Sequence, residues 1–363
     1  MAAQPKPLIS ANMVTTLRLL AMPLLAWLLY QGPNISGSKT LWWWSVGLGT
    51  IIGSTDFVDG MLARKYGPTV LGGMMDPLAD KIFIALLYLP LMHLGLFPVW
   101  AVGLLFIREF LVTSIRSAYE WRGLQLKTSY FGKVKTWVQM QGIAILFLTV
   151  LVEKNTLVIY LAVLTGLPFL ALVYFLVVKK KLSMNALLAV IFTGLTVALF
   201  TIPDSIFTSI DIGVYAICLL TWLSGLDYLL TAIPTLHKSG GFHRADVVRV
   251  GGAIVTPVCC VLALVHTTVA PAPMLIIFAG ELAVGGLDNL LSRHKANSST
   301  LSYGIRAYGS AGLLIAAIYA GDAAAILCWI AMAISLVGVI SEFYRGRAHY
   351  LDDSKWDEVL VES

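Results

Sequence analysis

The sequence predicts an all-α integral membrane protein of about twelve transmembrane helices, arranged as two six-helix repeats of which the second is degenerate. Composition is the first observation: 58% of the 363 residues are hydrophobic and only 12% are charged, with a mean hydropathy of +0.83. Backbone polar groups in lipid must be hydrogen-bonded within the chain, so spans of this composition are expected to be helices. The other two observations are a series of apolar segments and a similarity between the two halves of the chain.

The apolar segments have the length of membrane spans, and several of the hairpins between them are short. They cover residues 9–31, 41–63, 76–95, 98–117, 131–152, 156–178, 184–202, 210–234, 248–267, 272–291, 304–320 and 323–344. The N-terminal segment is interpreted as a retained first span rather than a cleaved signal peptide.

The distribution of basic residues predicts the orientation. Of the 25 lysines and arginines, only Lys39 and Lys154 fall in loops that alternate to the outer side. Cytoplasmic loops carry the excess of lysine and arginine, so both termini are expected on the cytoplasmic side. The net charge of +5 follows from this bias, and no basic arm predicts nucleic-acid binding. The four cysteines lie in apolar runs without metal-site spacing and are interpreted as core residues.

The two halves of the chain match at an offset of about 172 residues, the kind of periodicity that indicates an internal repeat. The matched pairs are Asn12 with Asn185, Asp56 with Asp227, His93 with His266, Pro98 with Pro271, Phe106 with Phe278, Glu109 with Glu281 and Gly132 with Gly304. Both halves have six predicted spans and begin on the same side, so the repeat is parallel. The alternative is a six-span appendage with unrelated packing.

Four carboxylates lie between two long apolar runs of the first half. Asp56 and Asp59 are three residues apart, and Asp76 and Asp80 are four apart, so each pair shares a helix face. Acids near helix ends are usually solvated or salt-bridged, but four beside membrane-like sequence are costly unless they bind something. We call these four residues the Asp cage and expect it to bind one or two hard divalent cations. Arg64 follows about one turn later, where it can meet a phosphate oxygen.

The pattern Asp-x2-Asp-Gly-x2-Ala-Arg, then Gly-x3-Asp-x3-Asp, resembles the signature of the CDP-alcohol phosphatidyltransferase family. The residues that carry it are Asp56, Asp59, Gly60, Ala63, Arg64, Gly72, Asp76 and Asp80. The spacer between Arg64 and Gly72 is one residue shorter than usual. Four further stretches resemble the phosphatidylglycerophosphate synthase branch, and the resemblance covers about residues 8–180. These stretches are Asn12–Arg18, Asp76–Lys81, Phe106–Phe110 and Gly132–Thr136.

The resemblance implies roles for these residues. It implies two Mg²⁺ or Mn²⁺ ions bound by Asp56, Asp59, Asp76 and Asp80, with Asp80 also the catalytic general base. It implies nucleotide and diphosphate binding by Asp56, Gly60, Ala63, Arg64 and Gly72. Gly60 and Gly72 would let the backbone approach the nucleotide.

A cluster of basic residues beside the Asp cage favours a phosphorylated acceptor. The candidate phosphate ligands are Arg108, Arg116, Lys133 and Lys135, with Lys127 nearby. A buried arginine in a span needs an anion, which supports Arg108; Glu109 is its alternative partner, although adjacent helix positions point apart. The other basic residues have an alternative interpretation as cytoplasmic loop residues.

The resemblance implies a transferase that passes a phosphatidyl group from CDP-diacylglycerol to glycerol 3-phosphate and releases CMP. We expect it in a bacterial inner membrane, and the distribution of basic residues predicts that its active site lies on the cytoplasmic side. Alternative acceptors are phosphatidylglycerol, inositol phosphate and serine. A twelve-helix transporter and a non-catalytic scaffold are the alternatives from other classes. Transporter sites lie near the bilayer midplane, whereas the four aspartates are at predicted cytoplasmic helix ends.

The predicted domains are a catalytic domain at 1–180, a degenerate repeat at 181–345 and a short cytoplasmic tail at 346–363. In the second repeat Leu230, Thr231, Pro234 and Thr235 replace Asp59, Gly60, Ala63 and Arg64. Members of the resembling family are typically six-span homodimers. We therefore expect a monomeric pseudo-dimer in which one half is active and the other supplies the packing surface of a second subunit.

Overall fold

The computed structural model describes residues 9–32, 39–124, 130–240, 243–296 and 300–351, and these ranges contain helices and no strand. The helices are α1 (Ala11–Gln31), α2 (Thr40–Tyr66), α3 (Val70–His93), α4 (Val99–Trp121), α5 (Tyr130–Leu151), α6 (Lys154–Val177), α7 (Met184–Thr201), α8 (Ile206–Lys238), α9 (Arg244–His266), α10 (Ala272–Arg293), α11 (Thr300–Gly304), α12 (Ser310–Tyr319) and α13 (Ala324–Tyr350). A π-helical turn at Ile305–Gly309 joins α11 to α12, and a 3-10 turn at Gly321–Ala323 precedes α13.

Seven helices of the described ranges are long and apolar enough to cross a membrane. Five of them are α1, α6, α8, α9 and α10. The sixth is Thr300–Tyr319, which combines α11, the π-helical turn and α12, and the seventh is Gly321–Tyr350, which combines the 3-10 turn and α13. The prediction of an all-α integral membrane protein is confirmed by the helical structure of the described ranges and these seven helices. The helices α2, α3 and α4, which carry the charged residues of the motif together with Arg108 and Arg116, are not among the seven, and neither are α5 and α7. The twelve-span, two-repeat arrangement stays a prediction.

The chain folds into two compact units. The first unit combines Met1–Lys133 with Thr221–Ser363, and the second is Val134–Leu220. In the first unit α1 packs against α2 and α3, and α4 packs against α9 and α10. The helix α10 also packs against α3 and α13. The predicted domain boundaries at residues 180 and 345 rest on the repeat and stay predictions.

Aromatic rings and polar pairs join α4 to α10 inside the first unit. The rings of Phe106 and Phe278 meet edge to face with centroids 4.7 Å apart, and Phe110 meets Phe278 at 5.3 Å. Such ring pairs stabilise a core beyond the area that they bury. Toward the other end of the same contact, Ser117 Oγ donates to Asn289 Oδ1 at 2.6 Å. These contacts hold α4 against α10, which also packs against the motif-bearing helix α3.

The second unit has its own apolar core between α6 and α7. Leu157 and Leu161 of α6 are buried against Phe200 of α7. At one end of this unit Lys154 Nζ donates to the backbone carbonyls of Pro203 and Asp204. A long side chain that caps a chain reversal in this way satisfies carbonyls that would otherwise lack partners.

The turn between α2 and α3 positions the four aspartates. Arg64 and Lys65 lie in the last turn of α2, where cations complement the helix dipole. Gly67 ends the helix with φ of 98°, a conformation that a residue with a side chain rarely adopts. Thr69 then caps α3, because its side chain accepts a hydrogen bond from the backbone N–H of Gly72 at 3.0 Å. The end of α2 and the start of α3 therefore lie close together.

Candidate active site at α1, α2 and α3

The structure brings the Asp cage together on the side of α1. Thr15 Oγ1 lies 3.0 Å from Asp59 Oδ2 and 2.9 Å from Asp76 Oδ1, and it can donate its single proton to either carboxylate. One aspartate comes from α2 and the other from α3. The predicted convergence of the two helix ends is thus present in the fold, and α1 is the element on which they converge.

Arg18 of α1 occupies the centre of the Asp cage. Its Nη1 donates to Asp56 Oδ1 at 3.1 Å and to Asp80 Oδ1 at 3.0 Å. Its Nη2 lies 3.3 Å from Asp59 Oδ2. The side chains of Arg18 and Asp59 are 2% and 1% exposed, whereas those of Asp56 and Asp80 are 53% and 49% exposed. The cage is therefore closed on the Asp59 side and open on the side of Asp56 and Asp80.

The donor chemistry of the Asp cage fits a hard divalent cation. Four carboxylates face one guanidinium, which leaves an excess of three negative charges when all four are ionised. Oxygen ligands of this kind are those that Mg²⁺ and Mn²⁺ prefer. No three His, Cys, Asp or Glu side chains of the described residues surround a common point as ligands of a bound ion would. Within the cage, three of the carboxylates contact Arg18.

The predicted nucleotide-binding residues of α2 lie on the open side. Arg64 is exposed, and its Nη2 would lie 4.0 Å from a Cβ atom added to Gly60. The arginine therefore folds back along its own helix toward Gly60, four residues earlier. Ala63 beside it is half-buried. The Arg64 guanidinium therefore lies next to Gly60, which has no side chain, an arrangement suited to binding a diphosphate oxygen.

Gly72 has a packing role that the motif does not reveal. A Cβ atom at this position would lie 2.8 Å from Asn12 Oδ1 and 3.0 Å from Thr69 Oγ1. Thr69 Oγ1 itself donates to Asn12 Oδ1 at 3.0 Å. The glycine thus lets the side chain of Asn12 in α1 reach the cap of α3. Its predicted approach to the nucleotide stays a prediction, and the structure adds a reason of its own for a glycine here.

Gly72→Ala is expected to lower the free energy of unfolding by roughly 1–3 kcal/mol, because a new methyl group would displace Asn12 and disturb the α3 cap. Thermal unfolding in detergent measures this. Adding Asn12→Ala to the variant should restore most of the loss.

Gly60→Ala is the matched control, because its methyl group would meet only the flexible tip of Arg64. The stability of this variant should be unchanged, whereas its transferase activity should fall if the nucleotide approaches Gly60. Equal stability of both alanine variants would contradict the packing role.

Arg108, the first candidate for the acceptor phosphate, is buried and already paired. Its Nη1 lies 3.0 Å from Glu109 Oε1, and its Nη2 donates to Ser224 Oγ at 2.5 Å. Its stem packs on Gly225, where a Cβ atom would lie 2.9 Å from Arg108 Cγ. The expectation that the adjacent Glu109 points away is wrong, because both long side chains bend toward each other inside the protein. Arg108 as a phosphate ligand stays a prediction.

The remaining candidates of the basic cluster are only partly described. Arg116 is half-buried on α4. Lys135 belongs to the second compact unit, where it is buried and has interaction partners. The side chain of Lys133 and all of Lys127 lie outside the described residues. The acceptor site therefore stays a prediction from the sequence.

Thr15 and Arg18 are site residues to which the sequence argument assigned no role. Both belong to the stretch Asn12–Arg18, and their spacing of three puts them on one helix face. An arginine inside a predicted span is a functional-site candidate by default, because an unpaired charge there is costly. That signal was available for Arg18. Lys81 was also without a role, and its Nζ donates to Thr113 Oγ1 at 2.7 Å, which ties α3 to α4.

Comparison with known proteins decides the family. The sequence model of the family described as CDP-alcohol phosphatidyltransferase matches residues 8–168. A protein of Mycobacterium tuberculosis (strain CDC 1551 / Oshkosh), named probable phosphatidylglycerophosphate synthase, is 36% identical over 170 residues, which cover 44% of this chain and 79% of that protein. The chain belongs to the CDP-alcohol phosphatidyltransferase family. No solved structure matches it.

Two further relatives of this phosphatidyltransferase carry the name CDP-diacylglycerol–glycerol-3-phosphate 3-phosphatidyltransferase. The protein of Bacillus subtilis (strain 168) is 37% identical over 99 residues, covering 27% of this chain and 51% of that protein. The protein of Cereibacter sphaeroides (strain ATCC 17023) is 35% identical over 143 residues, covering 38% of this chain and 62% of that protein. The family match ends before α7, so it covers the half of the phosphatidyltransferase that contains the Asp cage.

Proposed function

We propose that this phosphatidyltransferase moves the phosphatidyl group of CDP-diacylglycerol to glycerol 3-phosphate, giving phosphatidylglycerophosphate and CMP. The observation that carries the proposal is the gathering of Asp56, Asp59, Asp76 and Asp80 around Arg18 and Thr15. It occurs in the part of the chain that resembles proteins named for this reaction. The reaction belongs to phospholipid biosynthesis.

We propose Asp80 as the general base of this reaction. Its carboxylate is half-exposed on the open side of the Asp cage, so an acceptor hydroxyl can reach it from water. Asp80 would take the proton of that hydroxyl as its oxygen attacks the donor phosphorus that bears the diacylglycerol, and the bond from that phosphorus to CMP would break. Arg64, exposed beside Gly60, would hold a diphosphate oxygen.

Asp56, Asp59, Asp76 and Asp80 are the residues that would hold Mg²⁺ or Mn²⁺. When bound, such ions would neutralise the charge of the diphosphate and the charge that develops on the departing CMP. Asp59 would be the most fixed of the ligands, because it is buried and lies within hydrogen-bonding distance of Thr15. We propose two ions, since a single one leaves part of the excess negative charge of the cage uncompensated.

An apolar cavity beside the cage suits a lipid donor. It has a volume of about 650 Å³ and lies between α1, α3 and α10. Leu19 and Ile82, which follow Arg18 and Lys81 in the chain, line its end nearest the cage, and Tyr30 lies about 16 Å further along α1 at 1.5 Å per residue. An acyl chain could lie in this cavity while the headgroup sits at the cage, which we propose to be on the cytoplasmic side.

We also propose that the two halves form a pseudo-dimer within a twelve-span arrangement. Phe106 contacts Phe278, and Ser117 contacts Asn289; in each pair the partners occupy the same position of the predicted repeat. Equivalent positions touch each other where a two-fold axis passes between two copies. The packing of α3 on α10 and of α4 on α9 has the same reciprocity, since α3 corresponds to α9 and α4 to α10.

The substrate proposal is tested with the full-length protein in detergent. We expect Mg²⁺-dependent release of CMP from CDP-diacylglycerol when glycerol 3-phosphate is present. Release should be at least about tenfold slower with serine, which lacks the phosphate, and with inositol phosphate or phosphatidylglycerol, whose larger groups differ from glycerol. Release with one of the other acceptors instead would keep the chemistry and replace the acceptor. Folded protein that releases no CMP with any acceptor would contradict the transferase proposal.

A further inference from the structure

Arg18 holds the position in the Asp cage that a cation would be expected to hold. Its guanidinium contacts Asp56, Asp59 and Asp80 within 3.3 Å. The fourth carboxylate, Asp76, is held through Thr15, one turn earlier on the same helix. Carboxylates this close repel one another strongly unless a positive charge lies among them. Arg18 supplies such a charge through its ion pairs with Asp56, Asp59 and Asp80.

The hydrogen bonding of Arg18 within the Asp cage is incomplete. A guanidinium has five N–H donors, and buried ones are normally satisfied. Only Nη1 of Arg18 donates to the cage, whereas Nε and Nη2 are buried and make no hydrogen bond with any described residue. The side chain is 2% exposed, so water at the protein surface does not satisfy these donors. Arg18 therefore keeps the cage together through the two hydrogen bonds of Nη1 and the charge of its guanidinium, and its other donors are not used.

We propose that Arg18 is the internal counter-cation of the Asp cage: in the ion-free protein its guanidinium keeps the carboxylates together, and a divalent ion displaces it. The inference rests on the proposed function, because it assumes that the cage binds ions. Arg18 is in this sense a positioning residue that preserves the site between catalytic cycles. The carboxylates that it contacts are among those that would hold the ions.

Competition between Arg18 and the ion predicts how removal of the arginine changes ion affinity and stability. Removing the arginine removes a competitor, so ion binding should become tighter. It also leaves four carboxylates without a cation, so the ion-free protein should lose stability and recover it when the ion binds. An arginine with a purely structural role predicts something else, namely equal loss of stability with and without the ion and no gain in ion affinity.

The test is a titration of the full-length protein in detergent with Mn²⁺, with free Mn²⁺ followed by electron paramagnetic resonance, together with thermal unfolding in EDTA and in Mn²⁺. For Arg18→Gln we expect Mn²⁺ affinity to rise by about tenfold or more, within the usual range of coupling between two ligands. We also expect a wider gap than in the wild type between the unfolding temperatures in EDTA and in Mn²⁺. Arg18→Lys keeps a charge and should remain closer to the wild type in both measurements.

Arg122→Gln is the matched control. It breaks another buried ion pair of the first compact unit, that of Arg122 Nη2 with Asp246 Oδ2 at 2.8 Å, which joins the end of α4 to α9. It should lower the unfolding temperature equally in EDTA and in Mn²⁺ and leave Mn²⁺ affinity unchanged.

Each outcome of the titration decides between the two roles. Unchanged or weaker Mn²⁺ binding in Arg18→Gln would overturn the proposal while leaving the ion-binding cage intact. If the wild type itself binds no Mn²⁺, the ion part of the proposed function fails, and this inference fails with it. If Arg18→Gln can be purified only when Mn²⁺ is present, that dependence is the predicted loss of ion-free stability. Failure to fold with and without Mn²⁺ alike would indicate the structural role and overturn the proposal.

Discussion

Asp80→Asn is expected to lower the turnover number for CMP release by about 10²–10⁴-fold, the contribution that a positioned general base usually makes. The asparagine keeps the shape of the side chain and can still accept a hydrogen bond from Arg18 Nη1, which lies 3.0 Å from Asp80 Oδ1 in the native protein. It cannot take a proton from the acceptor hydroxyl at neutral pH. The measurement is steady-state release of CMP at saturating Mg²⁺, CDP-diacylglycerol and glycerol 3-phosphate.

The control for this experiment is Asp227→Asn in the second half. Asp227 aligns with Asp56 in the predicted repeat, but Leu230 stands where the next aspartate of the motif would be. Because the second copy lacks the motif, its variant should retain wild-type turnover. Full activity in Asp80→Asn would remove the general-base role. A large loss in both variants would indicate that the second half takes part in the chemistry.

Arg306→Met is expected to destabilise the protein by about 3–5 kcal/mol, because it leaves the charge of Glu281 buried without its partner. Arg306 and Glu281 form an ion pair in which the two side chains are 1% and 5% exposed. The arginine stem packs on Gly338, where a Cβ atom would lie 2.6 Å from Arg306 Cδ. Methionine keeps an unbranched apolar stem at this contact, so most of the loss should come from the charge. Chemical unfolding in mixed detergent micelles measures the change.

The double variant Arg306→Met with Glu281→Leu separates charge from packing. Replacing both members of a buried ion pair by apolar residues is often neutral or stabilising, so most of the lost stability should return. The pair joins α10 to the π-helical turn of the second half, where the motif is absent, and turnover per folded molecule should stay at the wild-type value in both variants. A double variant as unstable as Arg306→Met alone would show that packing around the arginine, rather than its charge, dominates.

The sequence by itself determined the class of the protein and the residues of the Asp cage. Membrane character follows from composition, because apolar helices of spanning length are the stable form of such a chain in lipid. The convergence of Asp59 with Asp76 could be expected because their spacing puts each aspartate on a defined helix face, and the short turn at Gly67 leaves little freedom between the two helices. Motif residues that are close in the chain are therefore placed largely by local geometry.

Only the tertiary structure decided which other residues meet the cage. Arg18 is 38 residues from Asp56 and 62 from Asp80, and helix periodicity carries no information about contacts at that separation. The same holds for Asn12 against Gly72, and for Arg108, whose neighbours Ser224 and Gly225 come from the other half of the chain. These contacts depend on how whole helices pack, which is set by the shapes and charges of facing surfaces summed over the molecule. The local pattern therefore predicted the ligands of the proposed ions, and the packing of α1 supplied the arginine that lies among them.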